Sequence, residues 1–173
     1  MNPRLQKLFD KLEDDRIQLF KEVEKLSAEQ FQKSIDGKWS VQQIMSHLYI
    51  AEKLSHQYMA KKVLGIKEAE RSGLVEELKM IVLQLSQRLP FKFKVPHGLN
   101  ELTPTGLSFE QLRELWETER GELKIFLEKF EPEYLDKKIY RHVRAGLLNI
   151  QHALIFFREH YIHHLPQIKR LMR

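Results

Sequence analysis

Apolar residues recur three and four positions apart along almost the whole chain, and that period leaves amphipathic helices as its building material. Over residues 3–26 the series is Leu5, Leu8, Phe9, Leu12, Ile17, Leu19, Phe20, Val23 and Leu26, with charged residues in the gaps. Pro3 suits a first helical turn, and Ser27-Ala28-Glu29-Gln30 offers a cap and a short turn of helix. After the turn Asp36-Gly37-Lys38-Trp39, Ser40 caps a second helix with Gln43 three residues on, a capping box. That helix runs to about Leu64 with Gly65 at its end, and its stripe is Val41, Ile44, Leu48, Ala51, Leu54 and Tyr58. A third helix begins near Gly73 with Leu74, Val75, Leu78, Ile81, Val82, Leu85 and Leu89 as its expected core face. Ser108 and Gln111 cap a fourth, with Leu112, Leu115, Trp116, Leu123, Phe126, Leu127 and Phe130 inward and Pro132 after its end. The last helix spans Leu147 to Met172, with Leu147, Ile150, Ala153, Leu154, Phe157, Tyr161, Leu165 and Ile168 inward.

Two longer connections join these helices. Residues 90–105, which include Phe91, Phe93, Pro96, His97 and Pro104, alternate briefly but are broken by proline, so they read as a connection and not as a sheet. Residues 133–146 form the other. No internal repeat or low-complexity stretch is present. The expectation is one all-α domain over residues 1–173, a helical bundle.

The chain has no cysteine, so a metal site must draw on His, Asp or Glu, and no thiolate can act as nucleophile. Met1 to Lys7 lack a signal-peptide core and no apolar run approaches a membrane span, which gives a cytoplasmic expectation with no membrane partner. The net charge of +5 is uneven: residues 137–173 hold eight basic side chains against Glu159 alone, leaving −2 for the rest. A basic end can attract anions, but no nucleic-acid recognition motif accompanies it, so nucleic acid is not the expected partner.

The chemistry gathers on histidines. His160 and His164 are four apart, one above the other on a helical face. Both fall on the inward stripe, since Phe157 precedes His160 by three and Ile168 follows His164 by four. His47, three after Ile44 and four before Ala51, lies on the inward side of the second helix. Three neutral imidazoles from two facing helices match the ligand set of an open zinc site, which keeps a fourth position for water or substrate. His163 is a rival to His164 in such a grip. His56, His97, His142 and His152 read as surface or loop residues.

Trp39-Ser40-Val41-Gln42-Gln43-Ile44-Met45-Ser46-His47 resembles the second-helix motif of the DinB/YfiT-like superfamily, a damage-inducible bacterial family, in which a ligand histidine follows the tryptophan by eight. His160-Tyr161-Ile162-His163-His164 followed by Gln167-Ile168 resembles its last-helix motif. Val95-Pro96 through Trp116 resembles its proline-punctuated loop. The resemblance covers nearly the whole chain. It implies an up-down-down-up four-helix bundle with an extra helix in the connections. It also implies a divalent metal, zinc or nickel, on His47, His160 and His164, and often a homodimer. Two departures stand out: Pro166 just after the second ligand, and Val143 where the family's His-Pro-x-x-Gly loop carries proline.

Known activities in that family include thiol-dependent transferases using bacillithiol, mycothiol or glutathione, and a mycothiol-dependent isomerase. The resemblance thus implies a metal-activated small-molecule thiol attacking an electrophilic substrate, with Arg141 and Arg144 as candidates to hold an anionic cosubstrate. The alternatives are a metal-dependent hydrolase using metal-bound hydroxide, and a non-catalytic bundle associating through Phe91 and Phe93. Hydrolysis wants a general base, and neither Glu52 nor Glu159 is spaced to face the histidines.

Overall fold

The computed structural model describes residues 1–35, 37–89 and 98–173. The expectations placed on Asp36, and on Phe91, Phe93, Pro96 and His97 within residues 90–97, lie outside these residues.

Helix α1 spans Pro3–Val23, α2 Ala28–Gln32, α3 Val41–Lys62, α4 Leu74–Arg88, α5 Leu99–Leu102, α6 Phe109–Glu128 and α7 Ile150–Leu171. A two-stranded antiparallel hairpin, β1 (Tyr140–His142) and β2 (Gly146–Leu148), precedes α7. Caps set several of these bounds. Ser27, Ser40 and Ser108 each accept a hydrogen bond from the N–H three residues on, while Gln30, Gln43 and Gln111 reach back to the cap N–H. Each such cap is worth about 1 kcal/mol. Helix α1 ends at Val23, three residues short of the expected bound, and Ser27 opens α2 as the separate short helix its capping pattern predicts.

Helices α1, α3, α6 and α7 form the bundle: α1 touches α6 and α7, and α3 touches the same two. Arg16 lies 3.7 Å from Glu117 and Arg120 3.4 Å from Glu13, so α1 and α6 are antiparallel. Gln42 donates to the Pro104 carbonyl, before α6 begins, and Glu52 accepts from Arg120 further along; α3 and α6 therefore run parallel. Leu5, Phe9 and Leu12 share one core cluster with Ile150 and Phe157, while Leu19, Phe20 and Val23 share the other with Tyr161 and Ile168. That makes α1 and α7 parallel and gives up-down-down-up order. Parallel α3 and α6 need a crossover, and α4, which leans on α7, lies within it.

Three sequence expectations are corrected. The 133–146 connection holds a 3₁₀ turn, Pro132–Tyr134, and the hairpin's first strand, its turn closed by Gly146 at φ +75°. Leu147 belongs to β2, so α7 begins at Ile150 behind an Asn149 cap. The apolar stripe expected to be the core face of α4 points to solvent; its buried residues are Glu76, Met80, Leu83 and Gln87. Glu76 tolerates burial because its carboxylate accepts from the Gly73 N–H and lies 3.2 Å from Lys138.

Candidate metal centre

The first turns of α3 are buried nearly all round. Gln42, Ser46 and His47 sit among Val41, Ile44, Met45 and Leu48, because α2, α6 and α7 all pack against this helix. Gln42 and Ser46 are hydrogen-bonded: Gln42 donates to Ser46 Oγ at 2.8 Å and to the Pro104 carbonyl at 3.2 Å. His47, two turns in from the Ser40 cap, points to α7. Helix α7 continues through Pro166 to Leu171, so the proline leaves the His160–His164 turn intact.

His47 Nε2 lies 3.1 Å from His160 Nε2, which lies 3.2 Å from His164 Nε2. The candidate ligand atoms of all three fall within 4.8 Å of one another. Nitrogens about 2.0–2.1 Å from a tetrahedral zinc are roughly 3.3–3.4 Å apart, so the observed spacing is close to that of a loaded site. His164 Nδ1 is 3.0 Å from Gln167 Oε1. A carboxamide oxygen only accepts, so Nδ1 carries the proton and the Nε2 lone pair faces the cluster.

Without an ion the cluster is short of hydrogen. His160 Nε2 is shared by two neighbours, one of which offers a lone pair, and a single N–H does not serve both contacts well. His47 Nδ1, buried, has no hydrogen-bond partner among the described residues. Burial pushes the His47 imidazole down to about 3 and His164 to about 4, with neighbouring imidazoles adding to the effect. Burial also holds His160 well below the usual range. Three neutral, converging nitrogen donors with no hydrogen-bond solution among themselves fit a divalent cation. Trp39 closes one side, its ring 5.0 Å from His47 and stacked 6.5 Å from His164, and Phe156 stacks 5.4 Å from His160.

The other histidines are placed differently. His163 lies outside the cluster and donates from Nδ1 to the Gln87 carbonyl at 2.7 Å. His56, His142 and His152, expected at the surface or in loops, are all buried. His56 Nδ1 meets Glu119 at 2.7 Å, and His152 Nε2 meets Glu77 at 3.1 Å. His142 Nδ1 accepts from the Arg144 and Ala145 N–H groups, anchoring the hairpin turn, and its ring packs 4.4 Å from Phe156. His56, Glu119 and Glu122 also come within metal-ligand reach of one another, but His56 and Glu119 already satisfy each other and Glu122 is exposed.

The carboxylates beside the cluster in sequence are committed elsewhere. Glu52 accepts from Arg120 at 2.8 and 3.0 Å and from the Trp116 indole at 2.9 Å. Glu159 accepts from Arg88 at 2.7 and 2.8 Å. Arg141 and Arg144 are exposed on the hairpin. Two broad surface concavities, one bordered by Lys61, Lys62, Lys138 and Leu147 and one by Ala28, Glu29, Gln32 and Lys33, include none of the three histidines. Gln167 is the functional candidate that sequence reading left without a role; its signal was its place three residues after His164, on the same helical face.

A family model described as the DinB superfamily matches residues 11–168. Among solved structures, YfiT from Bacillus subtilis, described as a probable metal-dependent hydrolase with an unusual four-helix bundle topology, matches with a TM-score of 0.59. Its sequence is 18% identical, and the match covers 96% of this chain and 84% of that one. At that identity the likeness is one of fold. No curated protein matches the chain. Among the described residues, no helix is long and apolar enough to cross a membrane.

Proposed function

The chain belongs to the DinB superfamily, and from that membership and the three converging imidazoles we propose a divalent-metal-dependent enzyme that transfers a small-molecule thiol to an electrophilic substrate. His47, His160 and His164 would hold zinc or nickel and leave a position open. A divalent ion on three neutral ligands keeps its full charge, which lowers the pKa of a thiol and polarises a carbonyl. Gln167 fixes the tautomer of His164. Trp39 and Phe156 surround the imidazoles with apolar surface, which strengthens electrostatics at that point.

The observation that carries the thiol reading is the commitment of Glu52 and Glu159 to Arg120 and Arg88. Attack by water calls for a base to take its second proton. A thiol, once ionised, calls for none. The chain has no cysteine, so the thiol comes from a small molecule. The name given to YfiT favours a second reading, metal-dependent hydrolysis. A zinc- or nickel-loaded sample with bacillithiol, mycothiol or glutathione and a chromogenic halodinitrobenzene separates the two. The expected result is turnover that needs both metal and thiol and is lost in His160→Ala. Metal-dependent ester cleavage without thiol would replace transfer by hydrolysis, and indifference to metal in both assays would remove both readings.

A further inference from the structure

The outward face of α4 is a second feature that the bundle leaves unexplained. Leu74, Leu78, Ile81, Val82 and Leu85, with Leu89 just past the end, form one stripe and are between 48 and 88% exposed. Val75 borders it and is exposed as well. Taking roughly 150–190 Å² for each fully exposed aliphatic residue, the stripe with Val75 presents on the order of 700 Å². A typical monomer's largest apolar patch is about 300–600 Å², and a standard-size interface covers about 800 Å² per partner. The stripe thus suits one helix-to-helix interface. Its three- and four-residue spacing is that of a helix pairing with a helix.

The order of residues identifies the partner. The stripe is a palindrome about the bond between Ile81 and Val82. Leu74 and Leu89 are equidistant from that centre, as are Leu78 and Leu85. An antiparallel pair of identical helices related by a two-fold axis needs this self-complementarity, because each residue meets its mirror position on the copy. The charges agree. Glu77, Lys79 and Arg88, which border the stripe, fall opposite Ser86, Gln84 and Val75 of the second copy, so no like charges meet. The opposite face, Glu76, Met80, Leu83 and Gln87, is already used within the chain.

We propose that the α4 face is the self-association surface of this protein, two copies pairing α4 against α4 in antiparallel fashion about a two-fold axis at Ile81 and Val82. The proposal is independent of the metal centre. Sedimentation equilibrium of the full chain at about 50 μM is expected to give twice the 20.8 kDa chain mass. Ile81→Glu with Val82→Glu places four carboxylates at the axis and should return the mass to one chain with unchanged far-ultraviolet circular dichroism. A monomeric native protein, or a dimer indifferent to this double change, overturns the proposal.

The cysteine-free chain permits a second measurement that survives misfolding of that variant. Ile81→Cys should cross-link to its copy with a short bismaleimide. Two Leu74→Cys copies would sit about 22 Å apart along the axis and should not link to each other. Mixed Leu74→Cys and Leu89→Cys chains should link one variant to the other. Equal self-linking of Leu74→Cys and Ile81→Cys would contradict the antiparallel arrangement.

Discussion

His47 and His56 are buried nine residues apart on α3, and they are held in opposite ways. His56 meets the Glu119 carboxylate, beside a second closed group in which Arg120 donates twice to Glu52 and Trp116 once. There every buried carboxylate has a cation or donor against it. His47 has an imidazole nitrogen, that of His160, as its hydrogen-bond contact, and its Nδ1 has no partner among the described residues. The difference teaches how to separate a structural polar cluster from a candidate site when both are buried. In the first, each carboxylate is matched by a group of the chain, and the one Arg120 nitrogen without a hydrogen bond, Nη1, lies 3.4 Å from the Glu13 carboxylate. The second sets three imidazole nitrogens against one another, a donor set that suits a cation.

The largest expected effect breaks the closed half. Glu52→Ala leaves Arg120 buried without its main partner and should cost about 3–5 kcal/mol in chemical denaturation. Zinc affinity of the folded fraction should stay the same. A loss under about 1 kcal/mol would mean the ionic group is not closed as described. The converse change, His160→Ala, should weaken zinc binding at least about 100-fold, or about 2.7 kcal/mol. Its metal-free stability should move by no more than about 1 kcal/mol, because the contacts removed are poorly satisfied ones. A calorimetric titration and a urea melt of the same sample check both parts.

His56→Phe keeps an aromatic ring at the position but leaves Glu119 without its partner, and should cost about 1–3 kcal/mol in a urea melt with zinc binding intact. Loss of zinc there would merge the two regions into one site.

The smallest effect concerns His142, buried like His47 without a carboxylate and pushed down to about 4 by burial and then by Arg144. In the unfolded chain it titrates near 6.5. Above that value both states are neutral and its contribution is fully present. As pH falls through 6.5 the unfolded chain takes up a proton that the folded chain refuses, and stability is lost until about pH 4. Between pH 6.5 and 5.5 the native protein should lose about 1 kcal/mol more than His142→Gln. Parallel stability curves for the two proteins would show that His142 is not held neutral.

How much of this was legible depends on where each partner lies in the chain. The bundle follows from local periodicity and serine caps, which act within a few residues. His160 and His164 are visible for the same reason, their spacing being a property of one helix. His56 reads as a surface or loop residue in the sequence because its partner Glu119 is 63 residues away, and no local pattern announces a buried pair. The stripe of α4 shows a different limit. Periodicity says that a helix has an apolar face but not what meets it, and here α7 takes the face holding Glu76 and Gln87 instead. The hairpin before α7 leaves no sequence signal because three-residue strands are too short for alternation to register.

The central claim is that His47, His160 and His164 form one cation site distinct from the closed group around His56. Calorimetric titration of zinc, and separately nickel, into metal-free native protein, His47→Ala and His56→Ala tests it most directly. One ion per chain should bind to the native protein and to His56→Ala, and binding should be at least about 100-fold weaker in His47→Ala. No binding by the native protein, or equal binding by His47→Ala, would contradict it.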